Sequence, residues 1–289
     1  MKQEEYSILA LISPNKEGET VLKEALYLQK TLRVKLVILN VIKEPGFFER
    51  NFQPEETELT LKKAKEELTE FVEKVVENKL PDTIVISVRA GNPVNVLLEK
   101  SKSDSLEFLL IDKSNSNYPG AMTKEEVDEL ISLSRCPVLT VNKDFGVPKI
   151  KNIAIPIDIT QSTKKRLLWA SFLARRFNAK ITILSALKAN INEKKSLALK
   201  NAQKIRHLMW DHNIECDIKI LRTHDQEAHQ AILEYIKEEK PELVIIRTHQ
   251  ESIFSNTQIG VFVSEIVHGS KLPVFTVNYT PSFLDSLFL

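Results

Sequence analysis

The residues best suited to chemistry are unevenly spread along this chain. All six histidines fall in its second half, at His207, His212, His224, His229, His249 and His268. Imidazoles bind metals and anions and change charge near neutral pH. Arg247 offers a guanidinium that can grip a phosphate or carboxylate. Cys136 and Cys216 are the only two thiols. Carboxylates abound, but none stands in a recognisable catalytic pair. The sequence contains no G-x-S-x-G elbow, P-loop, H-E-x-x-H or G-x-G-x-x-G. It therefore points to no catalytic residue, and an enzyme is not expected.

Each of these residues has a plainer account. No close pair such as His-x3-His supports a metal site, so none is expected. His207 and His212 sit at a helix end and are read as solvated. His224 and His249 are read first as polar loop residues. Both cysteines begin strands and are read as buried, inert thiols. They suggest no disulfide framework, which fits a reducing, cytoplasmic setting. The runs Lys62-Lys63, Lys164-Lys165-Arg166 and Arg175-Arg176 are read as solvated helix faces.

The elements that must position these residues come from the apolar pattern. The chain has 289 residues, long enough for two domains of ordinary size, with 43% hydrophobic and 27% charged residues. Lys+Arg total 40 and Asp+Glu total 39, a balance that disfavours nucleic acid or anionic membrane as partner. The longest apolar runs are strand-sized, so no membrane span is expected. The polar, acidic N-terminus does not read as a signal peptide. The apolar ending Phe283-Leu-Asp-Ser-Leu-Phe-Leu289 is expected to dock on a surface rather than enter lipid.

The sequence repeats itself. Lys35-Leu-Val-Ile-Leu-Asn-Val-Ile-Lys43 resembles Lys180-Ile-Thr-Ile-Leu-Ser-Ala-Leu-Lys188. Leu106-Glu-Phe-Leu-Leu-Ile111 resembles Pro241-Glu-Leu-Val-Ile-Ile246, and Cys136-Pro-Val-Leu-Thr-Val-Asn142 resembles Leu272-Pro-Val-Phe-Thr-Val-Asn278. The order is the same in both halves, which argues for two copies of one domain, residues 1–146 and 147–289. Gly146 and Pro148 punctuate the boundary.

Each copy alternates strand and helix. Strands are predicted at 7–12, 34–42, 84–88, 108–111 and 138–141, then at 153–157, 181–186, 216–221, 243–246 and 274–277. Helices are predicted at 19–31, 55–78, 93–101 and 124–134, then at 162–178, 193–212, 226–239 and 260–268. Nearly continuous apolar strands between helices mean an α/β fold with a parallel sheet buried on both faces. Right-handed crossovers make it doubly wound, and ligands then sit at the C-terminal strand ends where winding reverses. His224, His249 and Asp158 follow strands three, four and one of the second copy, so the topology gathers them at one edge. Together they could bind a metal or an anionic ligand.

The ending of each copy, Arg135-Cys-Pro-Val-Leu-Thr-Val141 and Lys271-Leu-Pro-Val-Phe-Thr-Val277, resembles the universal stress protein family. So do the Gly91-Asn92-Pro93 turn and Thr248-His249 after the fourth strand of copy two. The resemblance covers nearly the whole chain, twice. It implies two flavodoxin-like, Rossmann-like domains of the adenine nucleotide alpha hydrolase type, each with strand order 3-2-1-4-5 and four helices. It also implies pairing through the last strands, here as an intramolecular pseudo-dimer, with a further homodimer as an option.

Many members of that family bind ATP. Their loop after strand four reads glycine, two residues, glycine, nine residues, then glycine followed by Ser or Thr. Glycines let backbone N–H groups close around phosphates. Here the three glycine positions of copy two fall on Arg247, Gln250 and Gly260, with Val261 in the hydroxyl position. Asp158 matches the acidic position after strand one. In copy one Gly120 is out of register, Ser13 replaces the acid, and Asp112 adds negative charge.

The resemblance thus implies a degenerate site in copy one and a remnant in copy two, at Asp158, His224, Arg247, His249 and Gly260. The expected function is a non-catalytic stress-response or regulatory protein acting through a protein partner or a small anionic ligand. The alternative is an ATP- or AMP-binding protein using copy two, with slow hydrolysis as a further option.

Overall fold

The computed structural model describes residues 6–42, 54–114, 121–142, 149–157, 164–223, 227–248 and 259–277. The chain divides into two compact units, residues 1–147 and 148–289.

In the first unit the strands are β1 (Ser7–Leu11), β2 (Lys35–Ile42), β3 (Ile84–Ala90), β4 (Leu106–Asp112) and β5 (Val138–Val141). They pair in the order β3-β2-β1-β4-β5, all parallel in the described pairings. The helices are α1 (Lys16–Leu32), α2 (Pro54–Val76), α3 (Pro93–Lys100) and α4 (Lys124–Leu133). β4 is buried at every position, as a central strand with both faces covered must be. α1 packs on β1, β2 and β4, and α3 packs on α4. The apolar stripe of α2 centres on Leu68 and Val72, both fully buried.

The second unit repeats the pattern with β6 (Asn152–Pro156), β7 (Lys180–Lys188), β8 (Cys216–Thr223), β9 (Leu243–Arg247) and β10 (Val274–Val277). Their order is β8-β7-β6-β9-β10, again parallel. Its helices are α5 (Lys164–Phe177), α6 (Leu197–Asp211), α7 (Ala228–Glu239) and α8 (Val261–Gly269). Trp169 of α5 is fully buried, its ring 5.2 Å from that of Phe275 on β10. Among the described residues no helix is long and apolar enough to cross a membrane.

Two boundaries differ from the apolar pattern for local reasons. α1 begins at Lys16 rather than 19, because Asn15 accepts a hydrogen bond from the Gly18 amide at 2.8 Å and caps an extra turn. The single helix expected over 193–212 is a 3-10 turn, Glu193–Lys195, and then α6. Ser196 divides them: its hydroxyl donates to the Glu193 carbonyl and accepts from the Leu199 amide.

Candidate functional site

In the first unit the C-terminal edge of the sheet opens into a cavity of about 790 Å³. Its walls come from the segment after β1 (Ser13, Pro14, Asn15), the end of β2 (Asn40, Val41, Ile42) and the turn after β3 (Gly91, Asn92, Pro93). Ala64 and Glu67 of α2, with Ala121 and Glu126 at the start of α4, complete it. This is the reversal point of a doubly wound sheet.

Each wall is shaped by a local interaction. Asn40 is nearly buried in an otherwise apolar strand, and its Nδ2 donates to the Ile12 carbonyl at 2.8 Å. That bond pins the exit of β1 to the end of β2. The chain then turns back on α1, where a Cβ on Gly18 would lie 1.9 Å from the Ser13 carbonyl oxygen. Only glycine permits this approach. Gly91 turns the chain after β3 at φ +142°, a conformation glycine adopts without strain, and its amide donates to the Ile42 carbonyl at 3.0 Å.

Three helices start at this cavity, and each is already capped. Asn15 caps α1, and Asn92 caps α3 by accepting from the Asn95 amide at 3.1 Å. α4 carries a full capping box: Thr123 accepts from the Glu126 amide, and the Glu126 carboxylate accepts from the Thr123 amide at 2.8 Å. Among the described lining residues there is no lysine or arginine, and Glu67 and Glu126 are carboxylates. The described lining therefore presents amides and negative charge.

Asp112 ends β4 and is nearly buried. Its Oδ1 accepts from both the amide and the hydroxyl of Ser114, so the carboxylate closes its own turn. Burial lowers the neighbouring Lys113 ammonium to about 7, and Asp112 works against that shift.

Of the five residues expected in the second unit, Asp158, His224 and His249 lie outside the described residues. Arg247 is the last residue of β9, registered against Val277 of β10, and is half-buried. Gly260 is the N-cap of α8 and supplies no side-chain cap. Val261 follows it and is 72% exposed. Arg247 and Gly260 thus belong to the same edge of the sheet by topology. Thr248, after Arg247, is buried with its amide donating to the Val277 carbonyl at 3.2 Å.

The other candidates take ordinary places. Cys136 and Cys216 are buried, and burial pushes each thiol up to about 12. His207 packs edge-on against Trp210, and the His212 carbonyl accepts from Arg175. Among the described residues, no group of three or more His, Cys, Asp or Glu could hold a metal ion.

Sequence reasoning missed the roles of Asn15, Gly18, Asn40 and Glu126 in the first unit. Signals existed: a lone asparagine inside the buried run of β2, and the Thr-x-x-Glu spacing of Thr123 and Glu126.

The universal stress protein family model matches residues 149–278. No curated protein matches the sequence. A solved universal stress protein from Archaeoglobus fulgidus DSM 4304 is similar at a TM-score of 0.71 and 15% identity, over 96% of this chain and 99% of that one. A functionally unknown protein from Pseudomonas aeruginosa PAO1 is similar at 0.58 and 15% identity, over 98% of this chain and 95% of that one. At such identities the likeness speaks for the fold and not for a shared ligand. Residues 149–278 therefore match the universal stress protein family, and the first unit repeats the fold of the second.

Proposed function

We propose that this chain is a non-catalytic stress-response or regulatory protein that works by binding a small ligand. The observation that carries the reading is the cavity of about 790 Å³ at the reversal point of the first unit. Its size suits a small molecule. Its amides, carboxylates and capped helix starts suit an uncharged or cationic hydrogen-bonding ligand. A triphosphate would face Glu67 and Glu126 with no lysine or arginine among the described lining residues, so the first unit is not expected to bind ATP in the family's manner. The cytoplasm, where both thiols stay reduced, is the compartment this reading assumes.

The ligand carried through native purification tests this reading. Mass spectrometry of the small molecules released on denaturation should give a neutral or cationic compound. Ala121→Trp, which fills the cavity, should abolish its retention. A released phosphate ester whose retention also needs an open Ala121 position would overturn the proposal, as would a protein partner retained in its place.

A second reading places a nucleotide or other small anion in the second unit, held by Asp158, His224, Arg247, His249 and Gly260. The observation favouring it is that Gly260 leaves the first amides of α8 without a side-chain cap. Such amides attract anions, and Arg247 ends a strand at the same sheet edge. Arg247 and Gln250 bring bulk where the family pattern has glycine. Replacing Arg247→Gly, Gln250→Gly and Val261→Ser together should raise ATP affinity. A triple variant that folds normally and still ignores ATP contradicts this reading.

A further inference from the structure

The second unit carries another opening, at the C-terminal ends of α7 and α8, whereas the expected ligand loops precede these helices. A groove of about 560 Å³ lies between α7 and the segment joining α8 to β10. Its apolar part is formed by Leu233, Ile236 and Leu272, and three lysines, Lys237, Lys240 and Lys271, line it. All three lysines are exposed. None makes an ion pair among the described residues. Glu234 is the one acidic residue in the described lining, whose charge is net positive.

Two backbone features hold this shape. Gly269 ends α8 beside α7, and a Cβ there would come within 2.8 Å of a Leu233 methyl. The glycine therefore keeps the apolar wall accessible. Lys240 caps α7 in the left-handed conformation at φ +48°, and its amide donates to the Ile236 carbonyl at 3.1 Å. Glycine is the usual residue in that conformation. Here the position carries an ammonium instead, on the rim of the groove. The C-terminal ends of α7 and α8 are the negative ends of their dipoles and explain some of the attraction for lysine. They do not explain why the three cations border an apolar floor.

We propose that this groove binds a small amphipathic anion, a free carboxylate carrying an aliphatic or aromatic body. The apolar body would lie on Leu233, Ile236 and Leu272, and the carboxylate would be met by Lys237, Lys240 and Lys271. The volume falls in the range of small-molecule sites, which favours a free small molecule over a peptide or a lipid surface. The charge complementarity sets its sign. The inference does not rest on the ligand read for the first unit.

Methyl-labelled full-length protein titrated with octanoate, octylammonium and octanol tests it by NMR. Octanoate should give saturable shifts at the Leu233, Ile236 and Leu272 methyls, with much weaker effects from the cation and the alcohol. Lys237→Glu with Lys271→Glu should weaken octanoate binding about tenfold or more, the loss expected for reversing exposed charges beside a bound anion. Three results would overturn the proposal: equal shifts with octanoate and octylammonium, octanoate shifts that never saturate, and saturable shifts that map elsewhere. The ligand comparison needs no variant, so it decides the matter even if the double variant does not fold.

Discussion

Asn40 shows how one residue organises the first unit's cavity. A polar side chain in the middle of a buried strand must find a partner, and this one takes the Ile12 carbonyl. Gly18 does comparable work by absence, because its missing Cβ lets the Ser13 carbonyl rest against α1. Gly18→Ala forces backbone against backbone, so it should destabilise the protein by at least ~1–3 kcal/mol. Thermal or denaturant unfolding reads this directly, and an unchanged midpoint would mean that the loop relaxes freely. The cavity was poorly legible in the sequence for a physical reason. Its lining comes from separated segments, and its polar groups are asparagines and capping residues rather than a glycine-rich loop. What the apolar pattern made legible in the second unit was the place of Arg247 at a strand end and of Gly260 at a helix start.

At the scale of elements, the alternation of apolar runs and amphipathic stretches was enough to read, in order, the ten strands and eight α-helices found among the described residues. Periodicity carries element type, whereas ends depend on individual side chains. Asn15 lengthens α1 at its start, and Ser196 divides the 3-10 turn from α6. The start of α4 depends in the same way on Thr123, whose hydroxyl caps the Glu126 amide. Thr123→Ala should cost about 1 kcal/mol. In a domain of this size that lowers the unfolding midpoint by roughly 2–4 °C. The Glu126 carboxylate can still accept from the backbone amide of residue 123, so the loss falls on the Glu126 amide at the cavity wall. Hydrogen exchange at the first amides of α4 checks this: faster exchange is expected, and unchanged exchange would show that the cap is idle.

At the scale of the whole molecule, a chain with 40 basic and 39 acidic residues still buries charge unevenly. Glu24 and Glu107 of the first unit are nearly buried, each with one carboxyl oxygen lacking a hydrogen-bond partner. Burial raises them from 4.5 to about 7 and about 8. Folded, both hold a proton that the unfolded chain has already released. Their contribution to stability is therefore intact below about 4.5 and declines as pH rises through the folded values. Lys113 runs the other way: lowered from 10.5 to about 7, it makes the unfolded chain bind more protons in that interval, so its cost is relieved as pH rises. Glu107→Gln should leave the midpoint near pH 4.5 almost unchanged and raise it at pH 8, flattening the decline between. Parallel pH curves for the two proteins would show that Glu107 does not titrate in this window.

The central claim concerns what the first unit's cavity accepts, and Mg-ATP probes it most directly. Full-length protein labelled at the Val and Ile methyls allows Val41 and Ile42, which line the cavity, to be followed alone. The carboxylates of Glu67 and Glu126 and the capped helix starts predict no saturable shift at either residue as Mg-ATP is added, whatever happens in the second unit. A saturable shift at Val41 and Ile42 with a micromolar dissociation constant would contradict the account.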